Sequence, residues 1–182
     1  MNIPNKLTVA RLLITAIFFV FLATDSRTLL YISLVIFIIA ALTDLVDGWY
    51  ARKYKMVTDF GRVADPFADK ILVCGALIFL LVKEDTPVRD WMVVIIIARE
   101  FLVSGMRSLA ESKGIPFGAT NWGKFKALSQ NFAVGFSILH AACGADLVRL
   151  IAFGILCLAT ALTAISGFVY LARARRILHI DT

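Results

Sequence analysis

Asp44-Leu45-Val46-Asp47-Gly48-Trp49-Tyr50-Ala51-Arg52, continued by Gly61, Asp65 and Asp69, sets four carboxylates among apolar runs of membrane-crossing length. An ionised carboxylate taken out of water loses most of its solvation, so four together call for a compensating cation. Asp44 and Asp47 are three apart and Asp65 and Asp69 four apart, so each pair projects from one face of its helix. Two such helices side by side offer four oxygen ligands. That donor set suits a hard divalent ion, Mg²⁺ or Mn²⁺, rather than Zn²⁺, and no His or Cys lies between Asp44 and Asp69. Gly48 and Ala51 share the Asp44/Asp47 side, and Gly61 precedes Asp65 by one turn, so backbone and ligand can approach closely there. The competing view is of ordinary carboxylates in a solvated loop, screened by Arg52, Lys53, Lys55 and Arg62. The rule that ionisable groups within spans are functional weighs against it.

The composition agrees with a membrane setting. The 182 residues are 60% hydrophobic, with a mean hydropathy of +0.84, too apolar for a soluble domain and long enough for six spans. The expected fold is therefore all-α: a polytopic integral membrane protein, a six-transmembrane-helix bundle forming one domain over residues 1–182. A net charge of +6 does not imply nucleic acid, because the basic residues are scattered between apolar segments. Cys74, Cys143 and Cys157 are odd in number, lack metal-ligand spacing and read as small core residues. His140 and His179 stand alone and read as structural.

Taken in order, Pro4 and Asn5 signal the start of a first span over 7–23, with no cleavage site before Asp25 and hence retained. Further spans are expected over 29–50, 62–82, 91–109, 122–142 and 147–171, with a basic turn at 51–58. Lys6, Arg11, Arg52, Lys53, Lys55, Arg62, Lys113, Lys124, Lys126 and the tail arginines fall on one side. Arg27, Lys83, Arg89 and Arg149 fall on the other. The positive-inside rule then puts both termini and the carboxylates on the cytoplasmic face of the cell membrane.

The pattern Asp44-x-x-Asp47-Gly48-x-x-Ala51-Arg52, eight residues, Gly61-x-x-x-Asp65-x-x-x-Asp69 resembles the signature of the CDP-alcohol phosphotransferase family at every fixed position. The resemblance covers essentially the whole chain, since that family is also built on six membrane helices. It implies two Mg²⁺ or Mn²⁺ ions per site, with Asp44 and Asp65 shared by both metals, Asp47 a ligand of one and Asp69 of the other. Asp69 also matches the family's general base. Gly48, Ala51, Arg52, Thr58 and Gly61 match positions of the CDP site. Asn5 and Thr8 match positions bordering the cytidine, although helix capping explains Asn5 equally well. The implied substrate is CDP-diacylglycerol, a membrane lipid, and the implied assembly is a homodimer.

The second half of the chain bears on the acceptor alcohol. Ala98-Arg99-Glu100-Phe101, followed by Arg107 and by Gly123-Lys124-Phe125-Lys126, resembles the branch of the family that uses sn-glycerol 3-phosphate and releases CMP. Arg99, Arg107, Lys124 and Lys126 are expected to form a basic wall for the acceptor phosphate, with Glu100 facing a different direction from Arg99. A carboxylate of the metal cluster is the competing partner for Arg99. Inositol phosphate would suit such a wall too and is the second acceptor considered. A cation transporter is the alternative of a different class, because intramembrane carboxylates also mark ion pathways. Against it, the carboxylates gather on two helices at one face, and no second polar station occupies the opposite half of the spans.

Overall fold

Runs of good helix formers separated by short polar turns fold into six α-helices in this computed structural model. It describes residues 3–54, 59–114 and 121–178, with side-chain surroundings for 10–43, 67, 70–110, 112–114, 123 and 125–172. The helices are α1 (Ile3–Leu22), α2 (Arg27–Tyr54), α3 (Asp59–Leu81), α4 (Asp90–Ser112), α5 (Asn121–Cys143) and α6 (Asp146–Leu178). No strand occurs among the described residues, so the all-α expectation holds.

Three boundaries differ from expectation by four residues or more, each for a local reason. α1 has begun by Ile3, which places Pro4 in the first turn, where a missing N–H has no helical acceptor to lose. α2 continues through Tyr54, so residues 51–54 of the expected turn are helical; no proline or glycine follows Gly48 to stop them. α6 runs on to Leu178 because alanine and arginine, both strong helix formers, carry it past residue 171.

α1 packs against α2 and α3, α5 against α2, α3 and α6, and α4 bridges α3 and α6. The shared core draws on every helix through residues such as Phe18, Phe37, Leu77, Met92, Ile138 and Leu156. The exterior is apolar as well. Val20, Val35, Val82, Val94, Leu150 and Phe168 are all more than half exposed, a surface that water would penalise and hydrocarbon would not. The residues Asp146–Ala172 of α6 are long and apolar enough to cross a membrane, the one such segment among the described residues. Elsewhere the described apolar stretches, such as Ala10–Leu22 and Arg27–Thr43, are shorter. All six helices nonetheless have 20 residues or more, and 20 residues span about 30 Å at 1.5 Å per residue.

The turns at one end of the bundle are tied together by polar contacts. Lys83 Nζ donates to the Thr24 carbonyl oxygen at 2.7 Å and pairs with Asp25 at 3.0 Å, joining the end of α3 to the α1–α2 turn. Asp85 adopts a left-handed φ of 52°, which aspartate tolerates better than most residues, and its carboxylate meets Arg149 of α6 at 2.6 Å. His140, buried in α5, lies with Nε2 2.9 Å from the Asp85 carbonyl oxygen and Nδ1 3.3 Å from that of Ala145. It bridges two turns, in keeping with a structural role. Of the three cysteines, Cys74 is buried, and Cys143 and Cys157 are half-buried.

Candidate functional site

The buried side of α2 passes through Leu30, Ser33, Phe37 and Ala40, and that of α3 through Leu72, Val73, Ala76 and Leu80. At 100° per residue, the α2 stripe continues through positions 44 and 47, and the α3 stripe traced backwards reaches 69 and 65. Depth along the helices matches too. Asp44 lies ten residues before the end of α2 and Asp69 ten residues after the start of α3, about 15 Å in each case. The four positions thus continue the registers of these stripes at comparable distances from the α2–α3 connection. An all-carboxylate donor set of this kind fits a hard divalent cation. The side chains of Asp44, Asp47, Asp65 and Asp69 themselves lie outside the described set, as do the surroundings of Asn5, Thr8, Gly48, Ala51, Arg52, Gly61 and Lys124. Thr58 lies outside the described residues altogether.

The basic side of the site is described in detail. Glu100 on α4, 9% exposed, forms a direct ion pair with Lys126 of α5, 5% exposed. Its carboxylate oxygens also lie 3.4 and 3.5 Å from Arg99 Nη1. Arg99 Nη2 donates to Ser166 Oγ at 2.5 Å, and the guanidinium lies over the Tyr170 ring at 5.5 Å, both partners being on α6. Ser166 and Tyr170 share a face because they are four apart. Gly167 completes the seat: a Cβ there would stand 3.2 Å from Arg99 Cγ, so its absence admits the arginine stem.

This arrangement corrects the expectation that Glu100 faces away from Arg99. Successive helical residues do point about 100° apart, but the arginine stem is long enough to bring its head back to the neighbouring carboxylate. A helix-face argument alone does not fix where such a head group ends. Glu100, Ser166 and Tyr170 are therefore not legible from sequence as partners of Arg99. The available signal was a glutamate inside an apolar helix, which needs a cationic partner.

Beside this triad, Lys70 of α3 donates to Ser104 of α4, whose hydroxyl in turn donates to the Glu100 carbonyl oxygen at 2.7 Å. Gln130 and Thr163 bond at 3.1 Å between α5 and α6. A small crevice lined by Lys70, Cys74, Glu100, Lys126 and Gln130 opens among these groups. Of the expected basic wall, Arg99 and Lys126 are thus brought together around Glu100. Arg107 is half-buried on α4, and its Nε has no hydrogen-bond partner among the described residues. An apolar groove of about 320 Å³ runs between α2 and α5, past Phe37, Ala41, Leu42, Phe132 and Phe136, and shares Asn131 with the crevice. Leu42 brings it within two residues of Asp44.

Comparison with known proteins covers nearly the whole chain. The family model described as CDP-alcohol phosphatidyltransferase matches residues 1–171. A protein of Bacillus subtilis named CDP-diacylglycerol–glycerol-3-phosphate 3-phosphatidyltransferase is 40% identical over 151 residues, covering 76% of this chain and 77% of the relative. One of the same name from Rickettsia felis is 34% identical over 177 residues, 96% of each chain. A third so named, from Haemophilus influenzae, is 34% identical over 136 residues, 74% of each.

Proposed function

We propose, from the premise that this chain belongs to the CDP-alcohol phosphatidyltransferase family, that it transfers the phosphatidyl group of CDP-diacylglycerol to sn-glycerol 3-phosphate. The products are phosphatidylglycerophosphate and CMP, a step of phospholipid synthesis. The observation that carries this reading is the family match over residues 1–171, which contains the whole aspartate motif and the Arg99–Lys126 cluster. Relatives named for glycerol 3-phosphate favour that acceptor over inositol phosphate.

The family uses divalent metal ions, and we assign two, Mg²⁺ or Mn²⁺, to Asp44, Asp47, Asp65 and Asp69. Bound there, they would neutralise the diphosphate and stabilise charge on the entering and leaving oxygens. The chain's own groups do the rest. Gly48, Ala51 and Gly61 leave room for the nucleotide, Arg52 offers a fork of donors to its phosphates, and Thr58, Asn5 and Thr8 border the CDP. Asp69 takes the proton of the acceptor hydroxyl as that oxygen bonds to the lipid-side phosphorus and the bond to CMP breaks. Arg99, Arg107, Lys124 and Lys126 receive the acceptor phosphate. The groove between α2 and α5 provides an apolar path for the lipid.

The six helices are assigned as six spans, with both termini and the aspartates on the cytoplasmic side of the cell membrane. Their apolar exteriors and lengths support this, as does the concentration of Lys and Arg at one end of the helices. The purified protein should release CMP from CDP-diacylglycerol and glycerol 3-phosphate when Mg²⁺ is present and stop when it is chelated. Absence of CMP release under both conditions would refute the enzyme reading and return the transporter alternative.

A further inference from the structure

We propose that Arg11 is a positioning residue of the aspartate site: its guanidinium pairs with the Asp44 carboxylate and supplies a fixed positive charge there before any metal binds. The site is then built by α1 as well as by α2 and α3. The proposal rests on the reading above that the aspartates hold divalent ions. Arg11 lies eight residues after the start of α1 and is 5% exposed. A guanidinium withdrawn from water inside an apolar helix calls for an anion. The chemistry described above makes no use of this charge.

The register of α1 against α2 identifies the anion. Arg11, Thr15, Phe18 and Leu22 form one buried stripe on α1. Within it Phe18 meets Phe37 of α2, with ring centroids 5.8 Å apart. The two helices are joined by residues 23–26 and pack against each other, so they run in opposite directions. Seven residues before Phe18 is Arg11, and seven residues after Phe37 is Asp44. Seven residues turn a helix through about 700°, so each position returns to within about 20° of the face it started from. Residues 11 and 44 therefore repeat the relation of 18 and 37, with the long arginine stem making up for the short aspartate. α3 gives the same depth. It packs beside α1, where the Phe19 ring fills the space next to Gly75 and stacks on Phe79. Eight residues earlier on each helix stand Arg11 and the stretch 67–71, which contains Asp69. Carboxylates gathered without a metal repel one another, and a buried cation from a third helix offsets that repulsion. Once divalent ions are bound the offset matters less, so Arg11 stabilises the metal-free protein more than the metal-loaded one.

An arginine that only packs α1 against the bundle would stabilise both forms alike, and that difference can be measured without substrate. Thermal unfolding in detergent, with a chelator or with saturating Mg²⁺, and Mn²⁺ binding followed by electron paramagnetic resonance would compare wild type, Arg11→Gln, Arg11→Lys, Asp44→Asn and the double variant Arg11→Gln/Asp44→Asn. With chelator, Arg11→Gln should lower Tm by about 5 °C or more, because it leaves a carboxylate without its partner. Mg²⁺ should restore most of that loss, so the metal-induced rise in Tm exceeds that of wild type. The Kd of Arg11→Gln for Mn²⁺ should fall by about threefold or more, since the competing cation is gone. Arg11→Lys keeps the charge and should stay near wild type in both measurements. With chelator, the double variant should be more stable than either single variant, because neither charge is left unpaired.

An equal loss of Tm in Arg11→Gln with and without Mg²⁺ overturns the proposal, and so does a double variant that loses as much as the two single variants added together. If Arg11→Gln does not purify in a folded form, the double variant and Asp44→Asn decide between them: a more stable double variant supports the pair, and a less stable one overturns it. A wild type that neither gains Tm from Mg²⁺ nor binds Mn²⁺ overturns the metal reading and this proposal together, whereas a metal-binding wild type with either adverse result overturns this proposal alone.

Discussion

Replacing Asp44 with asparagine keeps the size of the side chain and removes the charge that a divalent ion requires. The remaining three carboxylates then repel one another without a properly placed counter-ion. Asp44→Asn, Asp47→Asn, Asp65→Asn and Asp69→Asn should each lower CMP release by at least about 100-fold at saturating Mg²⁺. Near-normal turnover in Asp44→Asn or Asp65→Asn would contradict the assignment of those two as shared ligands. What is legible from sequence is that Asp44 and Asp47 share one helix face and Asp65 and Asp69 another, because chain spacing alone fixes this once both segments are helical. The buried stripes through Phe37 and Ala40 on α2 and through Val73 and Ala76 on α3 run in the same register as these positions. The partners of Arg99 were less legible. Ser166 and Tyr170 are 67 and 71 positions away, and no local pattern announces a contact made by the far end of a flexible side chain.

At the scale of helices, the seam between α1 and α3 turns on one small residue. The Phe19 ring occupies the space that a side chain at Gly75 would need and stacks on Phe79, with ring centroids 5.2 Å apart. Gly75→Ala would force this ring, and with it α1, away from α3, at a cost of about 1–3 kcal/mol by the usual penalty for overfilling a packed site. Gly105, with nothing within 4 Å of its missing Cβ, is the control: Gly105→Ala should leave stability equal or slightly higher. Thermal unfolding in detergent would compare the two, and equal stability of both variants would contradict the close α1–α3 approach. Six helices were legible because six apolar runs alternate with turn residues. The last turn of α2 was not, since residues 51–54 are basic and look like loop while lacking any residue that stops a helix.

Across the whole molecule, polar side chains gather inside and apolar ones outside in a way that suits a lipid solvent. Glu100, Lys126 and Gln130 are buried while Val20, Leu150 and Phe168 are exposed. Composition alone announced this environment, but hydropathy did not delimit every helix, because the ionisable residues that interrupt the apolar runs are the ones assigned to chemistry. The most direct test of that chemistry offers the purified protein CDP-diacylglycerol and Mg²⁺ together with equal amounts of glycerol 3-phosphate, inositol phosphate and glycerol, and identifies the lipid products by mass spectrometry. Phosphatidylglycerophosphate as the dominant product, dependent on the metal, is the predicted result; a dominant phosphatidylinositol phosphate, or glycerol used as readily as its phosphate, would contradict it.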